Sequence, residues 1–152
     1  MIQGVEIKEL VTQPDERGFF RELIRKTGSF FSEGFGQWSH TKTFDRAAKA
    51  WHIHQKQTDW WYFAIGAFKV ALYDMRKDSP TNGKLMELLM VEEFGAKVLK
   101  IPPGVAHGYK VIQDPVHMFY ITSHTYDPSD EGRIPHDDPK IGYGWTKEPE
   151  IK

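Results

Sequence analysis

Two stretches of this chain concentrate residues able to move protons or hold a metal. Trp51-His52-Ile53-His54 carries two imidazoles one residue apart, and Ile101-Pro102-Pro103-Gly104-Val105-Ala106-His107-Gly108 carries a third. Side chains alternate faces along an extended strand, so His52 and His54 point to one surface while Trp51 and Ile53 point to the other. Imidazole titrates near neutral pH and is also a common metal ligand, so a shared histidine surface suits either proton transfer or ligation. A third use is structural, as hydrogen-bonded lining beside two tryptophans. Pro102, Pro103 and Gly104 make a turn just before His107. The two stretches are expected to face each other across a small β-barrel and to form the site.

The surrounding sequence supplies short strands to position them. Pro14-Asp15-Glu16-Arg17-Gly18 reads as a turn between two extended pieces. Residues 27–33 have room for one or two helical turns between Gly28 and Gly34. Gln37 to Phe44 has the polar and aromatic mixture of a strand lining a site, and residues 45–49 read as a polar connection. Further strands are expected in the apolar run from Trp60, over 67–73 with Phe68, Val70 and Leu72 on one face, over 85–91, 98–101 and 116–122. The segment from Tyr126 to Lys152 is rich in Pro, Gly and Asp and reads as ordered loop. Many short strands with almost no helix predict a sandwich or barrel in a single domain spanning 1–152, and a jelly roll offers a ligand pocket at its mouth.

Composition narrows the classes. Twenty Lys+Arg against twenty-one Asp+Glu leave no general attraction to nucleic acid or to an anionic membrane. The absence of cysteine excludes disulfides, thiolate catalysis and Cys-ligated metal clusters. No run approaches the length of a membrane span, and Met1 to Lys8 lacks the apolar core of a signal peptide, so a cytoplasmic protein is expected. A net charge of −1 leaves little to oppose self-association, and a homodimer is expected.

Two resemblances sharpen the chemistry. His52-x-His54, Asp59 and Gly66, then Pro103-Gly104-Val105-Ala106-His107, are similar to the two motifs of the cupin superfamily, an all-β jelly roll. On that resemblance His52, His54, Asp59 and His107 would ligate a divalent transition metal. The second resemblance covers almost the whole chain. Arg17-Gly18-Phe19-Phe20-Arg21-Glu22, Lys49-Ala50-Trp51-His52, Leu72 to Arg76 with Ser79 to Gly83, Ile101 to Tyr109, Tyr120 to Tyr126, and Asp137 to Trp145 occur in the order seen in nucleotide-sugar epimerases. In these blocks the chain resembles the dTDP-4-dehydrorhamnose 3,5-epimerase family, a metal-free branch of the cupins, which implies that no cofactor is needed.

That resemblance implies an isomerase acting on a nucleotide-linked 4-keto-6-deoxy sugar. The ketone acidifies the protons on its flanking carbons, so a base removes one to leave an enolate and an acid returns it to the opposite face. The resemblance puts His52 in the role of base, Asp138 as the carboxylate that orients it, and Tyr120 as the acid. It also places Arg17, Glu22 and Gln37 against the substrate, with Arg17 as a diphosphate clamp, and adds Lys49, His54, His107 and Tyr126 as pocket residues. Two positions depart from the family. Asp59 stands where a lysine usually helps to hold the enolate oxygen, a loss worth about 2.7–4 kcal/mol for a typical donor of this kind. Lys49 replaces an arginine, keeping the charge without the fork. A binding protein without turnover is the remaining reading.

Overall fold

The computed structural model describes residues 1–92 and 95–146. Among the described residues ten strands follow one another: β1 (Glu6–Glu9), β2 (Thr12–Asp15), β3 (Gly18–Arg21), β4 (Gln37–Thr43), β5 (Ala48–His54), β6 (Asp59–Asp74), β7 (Leu85–Val91), β8 (Lys97–Ile101), β9 (Val105–Thr122) and β10 (Glu131–Arg133). The helical turns expected over 27–33 reduce to a single 3₁₀ turn, Ser29–Phe31. The Pro14–Gly18 turn joins β2 to β3 in a two-stranded hairpin, with Asp15 opposite Gly18.

Two long strands build the rest. β6 and β9 run antiparallel from Asp59 opposite Thr122 to Asp74 opposite Val105. Each changes partners along its length. The start of β6 pairs with β8 and its end with β7, while the start of β9 pairs with β5 and its end with β4. One eight-stranded sheet is thereby bent into two leaves: β1, β8, the first part of β6, the second part of β9 and β4 form one, and β7, the rest of β6 and β9, β5 and β10 form the other. Leaves that fold over a common interior are the jelly-roll solution expected from the strand pattern.

The bend falls where the register of β6 on β9 shifts, between Phe63 and Phe68. Gly66 sits there at φ +87°, and a Cβ on it would come within 2.6 Å of the Gln113 and Pro115 carbonyl oxygens. Only glycine serves that corner. Sequence punctuation by Gly66 thus marks a bend inside one strand rather than an end between two.

Apolar residues fill two separate regions. Trp61, Phe63, Phe68, Val70, Leu72, Leu99, Tyr109, Val116 and Met118 make the interior between the leaves. A second cluster, outside the barrel, gathers Trp51, Ile53, Ala71, Tyr73, Ala106, Ile141 and Trp145. The carboxy-terminal block is therefore a buttress. Trp145 meets Trp51 edge-on at 4.8 Å and Tyr143 at 4.6 Å between ring centroids. The expectation of plain loop beyond Tyr126 is corrected in one place, because β10 forms there and pairs with β5. Residues 147–152 of that expected loop lie outside the described residues.

Candidate active site

The alternation expected of the histidine strand is what the structure shows. In β5, Trp51 and Ile53 are buried in the outer cluster, whereas His52 and His54 are half-buried and line a cavity of about 250 Å³ in the barrel mouth. Burying an indole and a branched aliphatic on one face fixes the other face toward the cavity. His107 comes from β9 directly opposite His52 in the ladder. The three imidazoles are layered: the ring of His107 lies 6.3 Å from that of His52 and 5.6 Å from that of His54, nearly parallel to both.

Lys49 joins them through a bulge. Simple alternation would send Lys49 to the face of Trp51, yet Lys49 pairs with Tyr109 and His52 with His107, so three steps on β5 answer two on β9. Both side chains consequently line one cavity. Gly108 makes the bulge possible, since a Cβ there would lie 2.6 Å from Ala50 Cβ and 2.7 Å from the Lys49 carbonyl oxygen. The Lys49 ammonium donates to Thr41 Oγ1 at 3.2 Å and sits over the Tyr109 ring.

Tyr120 and Gln37 reach the same cavity from the other leaf, and Tyr126 from the loop after β9. Gln37 accepts from the Tyr126 backbone N–H at 3.2 Å and donates to Ser39 Oγ at 2.9 Å.

The electrostatics differ sharply from one histidine to the next. His107 is buried, and its Nδ1–H donates to the Val105 carbonyl at 3.0 Å, which leaves Nε2 as a bare acceptor. Burial, with the neighbouring His54 and His52, pushes its pKa down to about 3, so the ring stays neutral. Nε2 points toward Asp59 Oδ2, 3.9 Å away. Asp59 is itself buried and pushed upward mainly by desolvation, while accepting from Gln57 Nε2 at 2.7 Å and Trp61 Nε1 at 3.1 Å. His52 is lowered, first by burial and then by the Arg133 charge, with Glu131 opposing.

The expected site residues separate into two groups. Gln37, Lys49, His52, His54, Asp59, His107, Tyr120 and Tyr126 all line the cavity. Arg17, Glu22 and Asp138 do not. Arg17 stands in the hairpin turn, bonded to Asp15 at 2.6 Å, and Glu22 is paired with Arg25 at 2.7 Å. Asp138 caps a turn, accepting from the Lys140 N–H at 2.9 Å, with Ile141 and Gly142 bonded to its carbonyl. The carboxylate that stands against His52 is instead Glu131, with Oε1 3.3 Å from Nδ1. The four-residue metal set is also corrected: ligand atoms of His54, Asp59 and His107 converge within 4.8 Å of one another, and His52 is not among them.

Glu131 and its neighbour Asp130 are what sequence reading missed. Asp130 accepts from the backbone N–H groups of Gln55, Lys56 and Gln57 at 2.9, 3.0 and 3.2 Å, stapling the loop after His54 to β10. The available signal was Asp130-Glu131-Gly132 just beyond a Pro-Ser turn, an acidic pair followed by a residue able to lie close against another strand.

Comparison with known proteins agrees with this architecture. The model of the family described as dTDP-4-dehydrorhamnose 3,5-epimerase matches residues 1–152. The chain belongs to that family. It is 44% identical over 151 residues to the spore coat polysaccharide biosynthesis protein SpsL of Bacillus subtilis, covering 97% of this chain and 99% of that one. To the dTDP-4-dehydrorhamnose 3,5-epimerase of Salmonella typhimurium it is 32% identical, covering 95% of this chain and 82% of that one. Among solved structures, the dTDP sugar isomerase of Desulfovibrio desulfuricans superposes with a TM-score of 0.90 at 28% identity, covering 97% of this chain and 94% of that one. It is thus a member of an isomerase family on an all-β cupin jelly roll, and Asp59, where the family resemblance led to the expectation of a lysine, is buried and bonded to Gln57 and Trp61.

Proposed function

We propose that this chain epimerises a nucleotide-linked 4-keto-6-deoxy sugar at a carbon next to the ketone. The observation that carries the reading is a cavity in which His52 is held half-buried by a carboxylate at its Nδ1 while Tyr120 enters from the other leaf. Glu131 can only accept, so the His52 proton sits on Nδ1 and Nε2 is free to take a proton. Nε2 removes the proton from the carbon beside the ketone, the electron pair passes to the ketone oxygen as an enolate, and the Tyr120 hydroxyl gives a proton to the opposite face. His52 then carries the abstracted proton as an imidazolium and Tyr120 is left as a phenolate, until proton exchange with solvent returns both to neutral. Lys49 is the one lysine or arginine among the described residues lining the cavity and supplies the cation for the enolate oxygen. The transfers use side chains alone, and we take the reaction to need no cofactor.

Arg17 and Glu22 keep the role of nucleotide contacts only if they belong to the cavity of a second copy, because in their own chain they lie outside it. A homodimer in which the β2–β3 hairpin crosses to the partner accounts for this, and for Phe19 and Phe20 on that hairpin being 60% and 68% exposed. Among the described residues no helix is long and apolar enough to cross a membrane, and we place the protein in the cytoplasm.

The test is NMR of dTDP-4-keto-6-deoxyglucose with the protein in D2O, following the protons at carbons 3 and 5. Wash-out of either signal, abolished in His52→Asn, is the expected result. Absence of exchange at high protein concentration would remove the assignment. A second reading, a divalent transition metal held by His54, Asp59 and His107, is favoured by the bare Nε2 of His107 facing a buried carboxylate. Stoichiometric metal in protein purified without added metal, lost in His54→Ala, would support it.

A further inference from the structure

We propose that Glu131 is the positioning residue for the His52 base, coupling the closing segment of the fold to the proton transfer. This rests on the epimerase reading above, and it assigns to β10 the part that sequence comparison gave to Asp138. Three observations carry it.

The first is register. Glu131 lies opposite His54 and Arg133 opposite His52 in the β5–β10 ladder. Glu131 and His52 are therefore diagonal neighbours on one face, close enough for a side-chain contact, and the carboxylate reaches Nδ1 at 3.3 Å. The second is rigidity. Asp130 fixes the residue before Glu131 through three backbone N–H groups of the loop after His54, and Gly132 fixes the residue after it by lying flat against Ile53, where a Cβ would meet Cγ2 at 2.7 Å. A carboxylate clamped on both sides holds the imidazole plane and its tautomer. The third is charge. Burial pushes Glu131 up, but Arg133, the Tyr126 hydroxyl and His52 together hold it below the usual carboxylate range. Arg133 shares the same Oε1 at 3.0 Å and is mostly exposed.

The groups facing His52 act in opposite directions. Glu131 stabilises the imidazolium that forms after proton abstraction, whereas Arg133 on β10 and His54 on β5 disfavour it. His107, stacked across the ladder on β9, stays neutral. Removing the Glu131 carboxylate takes away both the acceptor that orients the imidazole and the charge that stabilises the imidazolium, so the loss falls on kcat. A residue that merely anchored β10 would not be partly replaced by a shorter carboxylate.

The experiment measures kcat and KM for proton wash-out at carbons 3 and 5 of dTDP-4-keto-6-deoxyglucose, for the full chain and for Glu131→Gln, Glu131→Asp and His52→Asn. Glu131→Gln is expected to lower kcat about 10- to 100-fold with KM little changed, a part of what acid–base catalysis supplies. Glu131→Asp, which keeps a carboxylate one methylene shorter, should recover part of the rate. A kcat in Glu131→Gln within about twofold of the parent, with wash-out still dependent on His52, overturns this assignment and leaves the epimerase reading intact. Wash-out that persists in His52→Asn overturns both.

Discussion

Gly132→Ala puts a single methyl into the narrowest contact behind the site. The added Cβ would stand 2.7 Å from Ile53 Cγ2 and 3.3 Å from the Ile53 carbonyl oxygen. Ordinary carbon–carbon contact needs about 3.5–4.0 Å, so the strands must part by roughly 1 Å. Ile53 cannot swing clear, because its Cγ2 is fixed to a β-branched carbon and the side chain is 9% exposed against the outer cluster. β10 must move instead. It has three residues, with Asp130 stapled on one side. A shift of that size takes the Glu131–His52 distance from 3.3 Å to about 4 Å, beyond hydrogen bonding. Overpacking of this kind costs about 1–3 kcal/mol, and misplacement by about 1 Å at a catalytic group can cost on the order of 100-fold in rate. Urea unfolding reads the first quantity and wash-out at carbons 3 and 5 the second. Ile53→Ala removes the obstructing methyl, so the double variant should be more stable than the sum of the two losses by about 1 kcal/mol and should regain exchange relative to Gly132→Ala alone. Additive losses, or a Gly132→Ala protein within about 0.5 kcal/mol of the parent and fully active, would refute the close-packing account of β10.

Two stability predictions follow from the parts that hold the barrel. Asp74 is buried and accepts from Arg76 Nε at 2.8 Å and Nη2 at 2.8 Å, from Ser79 Oγ at 2.6 Å and from Thr81 Oγ1 at 2.6 Å. Asp74→Asn should cost about 3 kcal/mol at pH 7. Burial pushes the carboxyl up, but these partners outweigh it and hold it far below its ordinary value. Because the folded pKa is depressed, the contribution is complete above the unfolded pKa near 4 and is lost as pH falls below it. Urea midpoints of parent and variant should therefore approach each other at pH 3, and a gap that stays constant would contradict this. Trp145→Ala removes the indole that packs on Trp51 behind the histidine strand and should cost about 3–5 kcal/mol by the same assay. A loss under about 1 kcal/mol would mean that the carboxy-terminal block does not buttress the site.

The sequence by itself determined the all-strand architecture and the polar and titratable part of the cavity lining that was named from it. Alternation placed His52 and His54 on one face because burying Trp51 and Ile53 leaves no other choice. The hairpin at Pro14–Gly18 and the short Ser29–Phe31 turn followed from local turn chemistry. Order along the chain was enough to identify Tyr120, Gln37, Lys49, His107 and Tyr126 as neighbours of the histidines, since a shared set of blocks carries a shared fold. Parity and partnership were not legible. Lys49 reaches the cavity only through the bulge over Gly108, a two-strand property that a period-two reading of β5 alone assigns to the wrong face. Gly66 read as an end and proved to be a bend, because only its approach to the β9 carbonyls shows that β6 continues. The partner of His52 was decided by strand pairing across 79 positions of sequence: Glu131 lies diagonal to it in the ladder, whereas Asp138, the better match by motif, is spent on a turn. Side-chain type is written in the chain, but which carboxylate meets which imidazole depends on the register of strands far apart in sequence, and only the folded sheet fixes that.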